Sequence, residues 1–112
     1  MADIAKMFEG VNVAIVAADA DFKVVYENEK CRKLFQEVFG REDYVGSNLS
    51  ECHKPETTEK MKAHYQDFKE RKKGLYFFTM DLPNRKGILV NVPYYEGGRF
   101  AGVVELVFEI PG

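Results

Sequence analysis

The chain has 112 residues, enough for one hydrophobic core and too few for two domains. Hydrophobic residues make up 46% and aromatic residues 13%, which excludes a disordered segment, and a net charge of −2 with no basic face argues against nucleic acid as a partner. Two cysteines give no disulfide framework, no apolar run approaches the length of a membrane span, and no signal peptide opens the chain, so the expectation is a cytoplasmic protein off the membrane.

In chain order, Ile4, Met7, Phe8 and Val11 recur at helical spacing and predict an amphipathic helix over residues 3 to 9 that stops at Gly10. Val13, Ile15 and Ala17 alternate into a first strand, and Phe22, Val24 and Tyr26 into a second, with Asp19, Ala20 and Asp21 as a hairpin turn. Asn28 caps a helix whose apolar face is Cys31, Leu34, Phe35, Val38 and Phe39, ended by Gly40. Residues 41 to 53 carry mixed signals, with Tyr44, Val45 and Leu49 as anchors of a loop or a short helical turn. Pro55 starts a long helix that runs to a stop at Gly74, acidic early and basic late, with Met61, Tyr65 and Phe68 on one stripe and His64 beside them.

Three strands finish the chain, at residues 75 to 82, 88 to 95 and 100 to 110, and Pro93 predicts a loosening or bulge of the middle one. In the last strand Phe100, Val104, Leu106, Phe108 and Ile110 share one face, while Ala101, Val103 and Val107 share the other with Glu105 and Glu109. A sheet apolar on both faces needs two covers. The internal helices supply one, and the N-terminal helix or a second subunit must supply the other. The order of elements predicts an α+β domain, a five-stranded antiparallel sheet against a cluster of helices.

The stretches VVYENEKCRKLF, VGSNLSECH and GVVELVFEI, in this order and at this length, resemble a PAS domain, and CHKPE resembles a group of small stand-alone microbial PAS proteins. The resemblance divides the chain into an N-terminal amphipathic helix at 1–10 and a PAS domain at 11–112. It implies a sheet in the order 2-1-5-4-3 and a pocket between the sheet and the helices, which in the family holds haem, a flavin, a small metabolite or nothing. Light-sensing members carry a reactive cysteine in GxNCRFLQ, whereas Leu49 stands at the matching position of GSNLSEC, which argues against a flavin adduct. Haem-binding members place an axial histidine on the long helix. Met61 falls close to that position and His64 one turn on, so both haem ligation and plain core packing stay open for this stripe.

The residues expected around the pocket are Cys31, Phe35, Cys52, His53, Met61, His64, Tyr65, Phe78 and Met80. Cys52 and His53 are adjacent in a turn and lack a third orienting group, so the pair does not make an enzyme. Cys31, Cys52, His53 and His64 lack the paired short spacings of a zinc site. Asp81 and Glu105 lie in apolar strands, and either one turned inward would be a polar anchor for a ligand. The expected function is a sensory module that binds a small molecule and signals through protein contacts, with a ligand-free dimerisation or scaffolding module as the alternative. The chain stops at Pro111-Gly112 soon after the last strand, so output is expected from a partner in trans unless the domain was cut from a longer receptor. A homodimer is expected through the N-terminal helix and an outer sheet face carrying Ala101, Val103 and Val107.

Overall fold

A computed structural model describes residues 3–41, 43–52 and 54–110, with the backbone alone at Cys52. The elements are α1 (Ile4–Gly10), β1 (Ala14–Asp19), β2 (Val24–Glu27), α2 (Glu29–Phe39), α3 (Leu49–Cys52), α4 (Pro55–Lys69), β3 (Tyr76–Leu82), β4 (Arg85–Glu96) and β5 (Arg99–Ile110). The strands form one five-stranded sheet in the order β2-β1-β5-β4-β3, with every neighbouring pair antiparallel. Among the described residues no helix is long and apolar enough to cross a membrane.

The start of the sheet is fixed by short polar side chains. Asp19 accepts from the backbone N–H of Asp21 and of Lys23, which closes the first turn. This draws Phe22 out of the predicted strand into the turn at φ 69°, so β2 begins at Val24. Asn28 then starts α2. It is fully buried, and its amide makes four hydrogen bonds: Oδ1 accepts from Ile15 N and Cys31 N, and Nδ2 donates to Phe8 O and Val13 O. One side chain thus caps α2 and ties it to β1 and to the end of α1.

The long helix ends earlier than Gly74. Arg71 adopts φ 59°, its N–H donates to Phe68 O, and the N–H of Lys72 donates to Asp67 O. Those two bonds are a Schellman closure, with arginine in the left-handed position that usually takes glycine. The guanidinium holds it there by donating to Gly98 O and lying 4.2 Å from the centre of the Tyr95 ring.

Strand alternation settles which residues share a face. Val16, Glu105, Asn91 and Tyr76 are paired in one row across β1, β5, β4 and β3, and Ala14, Val107, Leu89 and Phe78 in the next. Both rows face the helices, because Val16, Leu34, Cys31 and Val107 share one core cluster while Val103 packs with Tyr65 and Phe68. The expected outer position of Val103 and Val107 is therefore corrected: both are buried under the helices. The alternating outer row is Ile15, Leu106, Val90 and Phe77. Phe100 also leaves the face assigned to it. The pairing steps from Tyr94 opposite Gly102 to Tyr95 opposite Phe100, so Ala101 is an extra residue that swings Phe100 towards Tyr65. The irregularity expected at Pro93 falls there instead, and Pro93 itself stays paired with Val103.

Candidate functional site

α4 does not close fully on the sheet. Its residues Thr57, Lys60, Met61, His64 and Tyr65 face β1, β4 and β5 across a cavity of about 420 Å³. Leu49 of α3 and Phe78 of β3 close its sides. The floor is built by alternation on the three central strands, which brings Val16 and Ala18, Val103 and Glu105, and Leu89 and Asn91 to the same face. The volume lies within the range of small-molecule pockets, and the wall is apolar with a few polar groups converging on it.

Glu105 sits near the centre of that floor, on the middle strand of the sheet, between Val16 on one side and Asn91 on the other. Among the described residues no hydrogen bond or ion pair reaches its carboxyl, although the residue is partly accessible where it lines the cavity. Burial pushes its pKa up to about 7, since the charged form loses hydration and gains no partner. The same burial raises the pKa of Tyr65, and the carboxyl of Glu105 adds to that rise.

The mouth is organised by rings. His64 stacks on Tyr76 at 3.9 Å between centroids and on Phe78 at 5.7 Å, both close to parallel. Tyr76 in turn donates through its hydroxyl to Asp67 of α4. Burial lowers the pKa of His64, which disfavours the charged ring. Deeper in, Tyr65 packs between Phe22 and Phe100, at 4.4 and 5.8 Å.

Of the residues expected around the pocket, Met61, His64, Tyr65 and Phe78 line this cavity. Cys31, Phe35 and Met80 do not: Cys31 is fully buried in the adjoining core under α2, and Phe35 and Met80 pack against it. Burial, then the charges of Glu27 and Glu105, push the Cys31 thiol up to about 12. The side chain of Cys52 and all of His53 lie outside the described residues. Sequence reasoning missed Asn91, which shows as the single polar residue within Ile88-Leu89-Val90-Asn91-Val92, and Lys60 and Thr57, which carry no signal beyond helical phase. Glu105 turned inward, and Asp81 outward into solvent beside Lys86.

The lining does not fit haem. Met61 and His64 are competent axial groups, but the His64 ring is held in a stack with Tyr76 and Phe78. Haem propionates seek cations, and among the described residues Lys60 is the one lysine or arginine along the lining while Glu105 adds the wrong charge. Among the described residues no cluster of three or more metal-ligating side chains occurs.

The model of the family described as "PAS domain" matches residues 4–111. No curated protein matches. Among solved structures, a C-terminal domain from Streptococcus mutans is similar with a TM-score of 0.80 at 20% identity, over 96% of this chain and 82% of that one. The PAS domain of Bordetella pertussis BvgS is similar with a TM-score of 0.70 at 15% identity, over 97% and 85% of the two chains. A Vibrio cholerae receptor described as a dual PAS-heme oxygen sensor is similar with a TM-score of 0.61 at 19% identity, over 92% and 98%. A family match over nearly the whole chain, on a sheet of this order with helices packed on one face, makes the protein a member of the PAS domain family.

Proposed function

We propose that this PAS domain is a sensory module that works by binding rather than by chemistry. A small molecule enters between α4 and the sheet and shifts the packing of α4, and a partner in trans reads the change on α1 and the outer face of the sheet. The observation that carries this is the cavity over Glu105, a half-buried carboxyl with no partner among the described residues, beside a carboxamide. Leaving such a group unpaired costs free energy, and folds keep that cost where a ligand uses it. A switch of this kind needs a ligand that binds one packing of α4 better than the other. The likeness to a receptor described as an oxygen sensor supports a sensory role in general. The absorption spectrum and native mass of the purified protein test the reading. A retained small molecule supports it, and a bare chain that takes up nothing from a cell extract contradicts it.

A second reading, a ligand-free dimerisation or scaffolding module, is favoured by α1. Its apolar residues Ile4, Met7 and Phe8, with Val11 just past its end, are all exposed, and polar bonds from Asn28 to Phe8 O and from Arg32 to Glu9 tie the helix to α2. On either reading a homodimer in the cytoplasm is the working assembly.

A further inference from the structure

Resting on the cavity reading above, we propose that the ligand is a compact organic cation, with an apolar body and a primary amine or amidine whose N–H groups bond Glu105 and Asn91. The floor sets this. Glu105 and Asn91 are directly opposed on neighbouring strands and face the same way, so their polar ends lie within reach of one donor group. Between them they offer the carboxylate oxygens and the Asn91 carbonyl, an acceptor set that matches an ammonium with three N–H donors or a planar amidine edge. No other charged group stands beside Glu105 on the floor, because its neighbours in the row and along β5 are Val16, Val103 and Val107.

Ligands of other charge fit worse. An organic anion would meet Glu105, and among the described residues Lys60, exposed at the mouth, is the one lysine or arginine on the lining. A neutral ligand would leave the carboxyl to stay protonated. A cation supplies the missing partner in a largely apolar, partly enclosed site, where a charge-assisted hydrogen bond is stronger than in open water. The walls suit the rest of the molecule: Val16, Ala18 and Val103 below, Met61 and Tyr65 above, and Phe78 at the lip.

The charge state gives the proposal a pH signature. Among the described residues the titratable groups nearest Glu105 are Lys60, His64 and Tyr65 of α4 on the lining, Cys31 of α2 in the adjoining core and Tyr76 of β3 stacked on His64 at the mouth; the lining side chains from β1, β4 and α3 do not titrate. Burial holds Tyr65 and Cys31 uncharged and shifts His64 downwards, whereas it pushes the carboxyl of Glu105, on the cavity floor beside Asn91, up to about 7. A cation binds the ionised form, so its affinity rises with pH through about 7.

The test is a titration of the intact chain with phenethylamine, phenethyl alcohol and phenylacetate, followed by amide chemical shifts of the lining residues. The amine should bind at least about tenfold tighter than the alcohol at pH ~8, with the preference shrinking towards pH ~6. Glu105→Gln should abolish both the preference and its pH dependence. Equal binding of amine and alcohol, or tighter binding of phenylacetate, overturns the cation while leaving a ligand cavity in place. Absence of lining shifts with all three probes also overturns the cation, and the retained-mass experiment then decides the cavity reading separately. If Glu105→Gln does not fold, the pH dependence of amine binding to the unaltered chain decides, and a flat or opposite dependence overturns the proposal.

Discussion

Asn28, fully buried, and Glu105, half-buried on the cavity floor, are two inward-facing polar side chains treated in opposite ways. Asn28 has every donor and acceptor matched, whereas the carboxyl of Glu105 has none. Removing Asn28 therefore breaks structure. Asn28→Ala should cost on the order of 3 kcal/mol in urea unfolding, because buried carbonyls and N–H groups lose their partners. Hydrogen exchange of residues 4–10 should rise at the same time, since Asn28 holds Phe8 O. Asn28→Asp keeps the two acceptor bonds and should still release α1, for it cannot donate. Removing the charge of Glu105 should do the reverse. Its folded pKa of about 7 lies above the unfolded value, so the folded state binds more protons between about 4.5 and 7. Stability should then fall as pH rises through that window and level off above it. Glu105→Gln should remove the fall and add ~2 kcal/mol at pH ~8, discounted because the residue is partly accessible. A wild-type curve that rises with pH through this window would contradict the buried, unpaired carboxyl.

At the scale of elements, the fold was largely legible because helix and strand periods are carried by many residues at once. The existence and order of all the predicted helices and strands follow from apolar spacing, and Asn28 is recognisable as a cap from its type and place. What was not legible depended on single side chains acting at a distance. Gly74 looks like the stop of α4, yet Arg71 takes the left-handed position because Gly98 O and the Tyr95 ring, far along the chain, hold it. Arg71→Gly should accordingly be near neutral, trading lost contacts for relieved φ, while Arg71→Val should cost about 1–2 kcal/mol in thermal unfolding. The faces of β5 were misassigned for a related reason. Alternation says which residues share a face but not which face meets the helices, and the extra residue Ala101 breaks the alternation at Phe100. Gly102, one residue on, is where β1 and the Tyr94 ring come closest to β5. A Cβ there would meet Ala18 O and stand 2.7 Å from the Tyr94 ring. Gly102→Ala should cost about 3 kcal/mol or more and disturb the pairing of β1 with β5.

The molecule as a whole has a filled half and an open half. Under α2 the core is closed around Cys31, Leu34, Tyr44 and Val107, and under α4 it opens into the cavity. Its other surplus is outside: Phe77 is 67% exposed on the outer face, where Phe108 and Ile110 also lie uncovered, and α1 shows Ile4 at 65%. Those patches are the proposed contact of two subunits. Phe8→Glu and Phe108→Glu should lower the sedimenting mass at micromolar concentration while lowering the melting temperature only modestly, because the side chains are 49% and 41% exposed. A chain that sediments as a monomer without either change would remove the dimer from the account.

The cavity is the centre of the account, and amide chemical shifts of the labelled protein in a small-molecule cell extract test it most directly. The expected result is a set of shifts grouped on Val16, Ala18, Met61, Tyr65, Asn91, Val103 and Glu105, lost when Val103→Phe fills the space. Shifts confined to α1 and the outer sheet, or none at any extract concentration, would contradict it.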